Sequence, residues 1–359
     1  MKSNIKRQNQ RRGNVVVLIC LLLPALFGFV ALSVDYGFLL YVRTNLQRTA
    51  DQAVLAAVRD LEPSSDGSQD LDKVRATIRE YVALNAGDGF SILDSDITIG
   101  RFNPSTVYTD FEILNDGIFD TVSVTVRRDD LANSSVSLYF ARIFGNDQAD
   151  VSVTATAVMQ KAKLLADGSD ILPIAVSLSA WNSQALNAKW SIYGDGHMED
   201  ALGNAIPGNW GTLDVGSSNN SASALVDQIE NGLRQQDLDY LHSHGTIQDN
   251  MHIDSQIAMT LNGDTGFSAG IKDSIRGAHG TNKLMPIFDT FSGQGGNFDF
   301  HIIGWGVIQV VESKWQGGHN SSVSVKKSYM YDGDLRPHND LSNTGDIIDR
   351  AFTTPILVK

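Results

Sequence analysis

Residues 15–34 form an uninterrupted run of twenty residues without a charged side chain. At a helical rise of about 1.5 Å per residue this run spans roughly 30 Å, the hydrocarbon thickness of a bilayer. The tract before it, MKSNIKRQNQRRG, carries five cations (Lys2, Lys6, Arg7, Arg11 and Arg12) and no acid, and the first acid after it is Asp35. Basic flanks stay on the cytoplasmic side of a membrane, which sends the rest of the chain to the other side. The run is longer than the roughly 7–15 apolar residues of a secretory signal, although Ala31-Leu32-Ser33 would serve as a cleavage site. A retained anchor is therefore expected. Gly13-Asn14 breaks a twin-arginine export pattern after Arg11-Arg12, and Val17-Leu18-Ile19 lacks the small residue that a lipoprotein needs before Cys20.

Beyond Asp35 the apolar positions Leu39, Val42, Leu46, Ala50, Ala53 and Ala57 recur at three- and four-residue steps, so the membrane helix continues as an amphipathic one. This stripe packs on the chain's own domain or forms a seam with another molecule, and the first is expected. Pro63 to Ser68 ends it. A second helix is expected over residues 69–85, with Leu71, Val74, Ile78 and Val82 on one face. The period then becomes two in DITIGRF (96–102), DTVSVTVR (120–127) and ADVSVTATAVM (149–159), as in half-buried strands. Residues 134–144 read as a short amphipathic helix with a serine cap, stopped by Gly145.

Residues 161–170 read as a connector, followed by a buried strand at 171–178. The Gly-, Asp- and Asn-rich stretch 190–211 reads as a long surface excursion. Ser218-Asn219-Asn220-Ser221 offers caps for a helix at 222–233, and another helix is expected near 267–275. Strands are expected at 283–291, 298–314 and 321–331, and after Asp332 the chain turns polar until 352–358. Residues 302–308 (IIGWGVI) are apolar on both faces, the mark of a central strand. The fold class is α+β: an N-terminal transmembrane helix continuing into an extracytoplasmic amphipathic helix, then mainly antiparallel sheet with flanking helices.

RRGNVVVLICLLLPALFGFVALSVDYGFLLYVRTNLQRTADQAVLAAV resembles the opening of the TadE/TadG-like proteins of the Flp (tight-adherence, Tad) pilus-assembly system. The shared features are basic residues before Arg-Gly-Asn, an apolar span with a central proline (Pro24), a Val-Asp-x-Gly motif (Val34 to Gly37), and Arg48-Thr49-Ala50-Asp51-Gln52-Ala53 in place of an Ala-Ala-Asp-Ala-Ala-like run. WGTLDVGSSNNS and LNGDTGFSAGIKD are also similar to segments of long TadG-like proteins. The resemblance implies a single-pass inner-membrane protein with a cytoplasmic N-terminus and a periplasmic body. Its partners would be the lipid bilayer, other pilus-assembly or pilin-like proteins, and other copies of itself through the N-terminal helix. A pilin-like cut after Gly13 is disfavoured, because Leu18 stands where pilins carry the glutamate that pairs with a neighbour's amine inside the membrane. The expected division is a cytoplasmic basic tail (1–13), a transmembrane helix (14–35), a TadE/TadG-like α+β module (36–162) and a C-terminal β-rich extracytoplasmic domain (163–359).

The 28 basic and 41 acidic groups give a net charge of −13, and the cations of the first thirteen residues mask a still more acidic body. Such a body repels nucleic acid. Cys20, the sole cysteine, allows no internal disulfide, no cysteine zinc site and no thiol catalysis outside the membrane. His242 and His244, with His252 nearby, have no supporting carboxylate spacing and read as a solvated loop. Asp195, Glu199 and Asp200 lack the alternating-oxygen spacing of a calcium loop. Asp214-Val-Gly-Ser217-Ser218 resembles the Asp-x-Ser-x-Ser metal-adhesion motif of von Willebrand factor type A domains, but Gly216 replaces the first serine. Asp264-Thr265-Gly266 matches the aspartic-protease triplet without a second carboxylate to share a proton. No catalytic, cofactor or metal residues are assigned. The expected function is non-enzymatic pilus assembly or anchoring through protein contacts. The alternative is a membrane-anchored adhesin or ligand-binding module, with calcium as the candidate ligand.

Overall fold

Helix α1 runs Arg12–Ala57 with Pro24 inside it, and a 3-10 turn, Val58–Leu61, closes it. The computed structural model that shows this describes residues 12–64, 66–87, 89–103, 112–200, 202–204, 210–216, 221–264, 266–267, 269–294, 297–316, 320–337, 348 and 350–358. The side chains of α1 change character at Asp35. Between Val16 and Val34 the described ones are exposed, except that Gly28 is half-buried. From Asp35 onward Val42, Leu46, Ala50, Ala53 and Ala57 are buried and Leu39 half-buried. The predicted stripe is thus an inward face of this chain. Its three alanines are completely covered, as befits positions where neighbours approach the helix backbone closely. Helix α2, Leu71–Ala86, buries Val74, Ile78 and Val82, the predicted face. The Asp70 carboxylate accepts the Lys73 N–H at 3.0 Å at its start.

The strands that follow are β1 (Ile97–Phe102), β2 (Ile113–Leu114), β3 (Thr121–Arg128), β4 (Val136–Ser137), β5 (Gln148–Ala149) and β6 (Val151–Leu165). Strand β6 continues through much of the expected connector, because β11 (Ile253–Asp254), β17 (Arg336–Pro337) and β18 (Ala351–Val358) all pair with it. Residues 134–144 do not form the expected helix. Asn133 and Ser134 have φ of 64° and 54°, which no α-helix can begin with. A strand, β4, follows, and only Ala141–Phe144 turns, as a 3-10 helix. Gly145, at φ 85°, ends it as expected.

The C-terminal half carries β7 (Ile174–Ser177), α3 (Leu178–Ser183), β8 (Lys189–Tyr193), β9 (Met198–Asp200), β10 (Trp210–Leu213), α4 (Ala222–Asn231), α5 (Gln235–Ser243), β12 (Met259–Asp264), α6 (Lys272–Gly277), β13 (Asn282–Gln294), β14 (Asn297–Lys314), β15 (Ser322–Lys327) and β16 (Met330–Tyr331). The predicted surface excursion at 190–211 is corrected by β8, β9 and β10, in which Trp190 and Trp210 are fully covered. Among its described residues, Gly194 to Gly196 form the turn between β8 and β9. Ser221 caps α4 by accepting the Ala224 N–H; the other three predicted cap residues, 218–220, lie outside the described residues.

Two sheets result. One has the order β16-β18-β6-β3-β1-β2, with β11 and β17 also on β6; the other has the order β12-β10-β7-β13-β14-β15-β8-β9. The described pairings are antiparallel except β16 with β18 and β7 with β13. Strand β12 also pairs with β14, so β12, β10, β7, β13 and β14 close on themselves. The two-sided apolar run 302–308 is central, as expected: Phe300, Ile302, Trp305 and Val307 join one core with Leu238 and Leu241 of α5. Ile308 and Val310 join a second with Trp181 of α3, Ile229 of α4 and Ile275 of α6. The architecture is α+β. The chain divides into two compact units, residues 1–54, 77–97 and 123–155, and residues 55–76, 98–122 and 156–359.

Inside the second unit Phe300 packs against Phe288 at a centroid distance of 5.0 Å. A Cβ on Gly211 would come 2.4 Å from the Phe300 ring and one on Gly263 would come 3.0 Å from it. Glycine at both sites makes room for the ring. Phe300→Ala should destabilise the protein by about 3–5 kcal/mol, read from denaturant unfolding. In the same unit Asp120 Oδ1 accepts the Phe102 N–H at 2.7 Å and the Thr121 hydroxyl at 2.7 Å. Burial nevertheless dominates and pushes its carboxyl above the ordinary 3.8, with the two hydrogen bonds opposing. A carboxyl that holds its proton better when folded contributes most below its unfolded pKa and loses that contribution as pH rises through the raised folded value. Asp120→Asn should therefore gain stability relative to the parent as pH rises from acid to neutral, measured by unfolding at both pH values.

Candidate functional site at the helix junction

The four residues Val34-Asp35-Tyr36-Gly37 sit where α1 changes from an exposed apolar rod to a packed helix. Asp35 is 3% exposed, and its carboxylate is spent entirely as an acceptor. Oδ1 takes the Tyr139 N–H at 2.9 Å. Oδ2 takes the N–H groups of Phe140 at 2.9 Å and Ala141 at 2.6 Å. A buried carboxylate is tolerable only when its lone pairs are used in this way. The donors belong to a loop held at its base by β4 and β5, where Val136 opposes Ala149 and Ser137 opposes Gln148. The Leu138 N–H bonded to the Asp147 carbonyl at 2.9 Å tightens that base. The Tyr139 ring meets Phe38 of α1 edge-on at 5.4 Å. Phe144 lies along the apolar part of α1: a Cβ on Gly28 would stand 3.9 Å from its Cζ.

Further along α1 the Arg48-Thr49-Ala50-Asp51-Gln52-Ala53 run divides between two tasks. Thr49, Ala50 and Ala53 are buried, whereas Arg48 and Gln52 are exposed. The exposed pair lines one side of an open cleft of about 760 Å³, with Phe38, Tyr41 and Asn45 beside them and Phe90, Arg128 and Asn133 opposite. Asn133 holds that opposite side in shape. Its Nδ2 donates to the carbonyls of Ser91 at 3.0 Å and Arg127 at 2.8 Å, and its Oδ1 accepts the Ser91 N–H at 2.8 Å. The Arg127 guanidinium pairs with the buried Asp96 and reaches Asp129 at 3.4 Å. The cleft is open, and its lining mixes the polar Asn45, Arg48, Gln52, Arg128 and Asn133 with the aromatic Phe38, Tyr41 and Phe90.

The other candidates are placed apart. His242 lies in α5, not in a loop, and its Nδ1 is 3.4 Å from the Ile247 carbonyl. His244 caps that helix and stacks on Tyr240 at 4.0 Å, and His252 contacts Asp249 at 3.0 Å. Asp195 binds the His197 ring, and that ring stacks on Tyr193 at 4.2 Å. Glu199 accepts the Tyr193 hydroxyl at 2.9 Å. Asp200 holds a turn through the N–H groups of Leu202 and Asn204, both at 2.8 Å. Gly216 has φ 109°, and a Cβ there would come 2.3 Å from that of Asp237, so a close approach explains it. Asp264 ends β12 opposite Thr212. Ser217, Ser218 and Thr265 lie outside the described residues. Among the described residues no group of three His, Cys, Asp or Glu side chains could hold a metal ion.

Residues 16–61 contain one helix long and apolar enough to cross a membrane, tied by Asp35 to a small α+β module. Residues 13–60 match the family described as Flp pilus-assembly TadE/G-like, and residues 56–157 match the family described as Tad-like Flp pilus-assembly. Residues 13–157 are thus similar to TadE/G-like and Tad-like Flp pilus-assembly families. The matched stretch contains Asp35, its three donors and the cleft, and ends before the second sheet. No curated protein and no solved structure matches the chain.

Asp35→Asn would turn one oxygen into an NH2 group facing backbone donors. The amides of Tyr139, Phe140 and Ala141 should then exchange hydrogen faster, with those of 123–126 unchanged. Equal protection of all these amides in parent and variant would show that the carboxylate does not hold the loop.

Proposed function

We propose that this is a non-enzymatic, single-pass inner-membrane protein that assembles or anchors a Flp/Tad-type pilus through protein contacts. Residues 1–13 form a cytoplasmic tail, 14–35 cross the membrane, 36–162 form the TadE/TadG-like module, and 163–359 form a β-rich domain in the periplasm. The observation that carries this reading is the switch at Asp35. Exposed apolar surface on one side of it suits lipid, and a packed, polar-rimmed helix on the other suits water and protein. The basic tail supports the orientation. Both matched families are described by pilus assembly and neither by a reaction. The cleft beside Arg48 and Gln52 is the surface on this module best shaped to receive a partner.

Exchanging residues 15–34 for a cleaved secretion signal would release the body intact. Pili should then be lost although the body accumulates outside the cytoplasm. Normal piliation with the released body would overturn the proposal.

A further inference from the structure

The loop that Asp35 holds carries apolar side chains with no cover. Tyr139 is 61% exposed, Phe140 39%, Ile143 75% and Phe144 71%. They interrupt an otherwise acidic, solvated body, and four large apolar groups on one loop mark a contact surface. Three observations say what they contact. First, Phe144 lies against Gly28, and Gly28 is seven residues before Asp35 on the apolar side of α1. At about 1.5 Å per residue the ring therefore sits roughly 10 Å below the carboxylate, measured along the helix toward the cytoplasm. Second, the apolar side chains are continuous with the exposed apolar surface of α1 from Val16 to Val34. Third, the loop's single cation, Arg142, is exposed between them, where a long side chain can reach back to headgroups while its stem stays in the apolar layer.

We propose that residues 139–144 are a membrane-dipping foot, inserted in the outer interfacial layer of the same bilayer that α1 crosses; this rests on the anchoring role proposed above. Tyr139 takes the headgroup level, as interfacial tyrosines do, and Ile143 and Phe144 enter the acyl boundary. Asp35 is then a positioning residue: its three hydrogen bonds set the depth of the foot relative to the helix. A single transmembrane helix leaves a module free to rotate about the helix axis. A second point of insertion beside it removes that freedom and presents one face of the module to partners in the membrane plane.

The test uses the full-length chain with Cys20→Ser, so that one introduced cysteine carries the only spin label. Ile143→Cys, Leu26→Cys and Leu202→Cys are compared after reconstitution into vesicles of phosphatidylcholine with a minor share of phosphatidylglycerol. Collisions of the label with oxygen, which concentrates in lipid, are read against those with a water-soluble nickel chelate. All three positions are exposed, so the labels do not disturb the core. The foot predicts oxygen-dominated collisions at 143 and 26 and nickel-dominated collisions at 202. Nickel-dominated collisions at 143 with oxygen-dominated ones at 26 would overturn the foot and leave the anchor standing. Nickel-dominated collisions at 26 would overturn both. Low accessibility to both reagents at 143 would also overturn the foot, in favour of cover by a second copy of the chain.

Discussion

A single carboxylate meeting three backbone N–H groups sets the N-terminal part of this protein. Asp35 ends the apolar run, because a charge is expensive inside a bilayer. The same charge would be nearly as costly buried in protein unless fully hydrogen-bonded. The loop at 139–141 supplies the donors. One residue therefore marks the end of the exposed apolar part of α1 and ties the loop at 139–141 to that helix. The three donors need an acid: asparagine would turn one of the accepting oxygens into a donor facing backbone N–H groups.

Periodic features were legible in the sequence because periodicity reports burial directly. Val42, Leu46, Ala50, Ala53 and Ala57 of the stripe, Val74, Ile78 and Val82 of α2, and Ile302, Trp305, Val307 and Ile308 of the central run are buried where the pattern puts them. Failures arose where local signals conflict with distant partners. Residues 190–211 look like a loop by composition, yet Trp190 and Trp210 each anchor a strand, and a few turn residues between short strands suffice to imitate an excursion. Helix α5 leaves no periodic signal, because only Leu238 and Leu241 of its apolar residues join the core. At 134–144 the helical spacing is real, but the N–H groups that a helix would need are bonded to Asp35, about a hundred residues away in sequence.

The same distance explains how much of the candidate site could be read. The motif residues themselves, Val34 to Gly37 and Arg48 to Ala53, stand out in the chain. Their partners do not: nothing in LYFARIF says that its amides belong to an aspartate on the first helix. A lone acid placed directly after twenty apolar residues is the one available signal, since such a group must find donors somewhere.

The acidic body and the absence of a disulfide follow from one division of labour. With no covalent staple available, the second unit builds stability from packing alone, on both faces of a sheet whose strands partly close into a ring. Glycines at 211, 263 and 306 let Phe300 and Trp181 approach the backbone of that sheet, and this close packing replaces what cross-links would supply. The surface is left free to be acidic, which keeps the body from binding anionic headgroups on its own. On the reading proposed above, attachment rests on apolar contact, through α1 and the loop that Asp35 ties to it. Surface charge interactions are screened by salt, so a body held to a membrane by apolar contact in the proposed way keeps its geometry across ionic conditions better than one held by charge. Constancy of geometry is the property that the proposed assembly role requires.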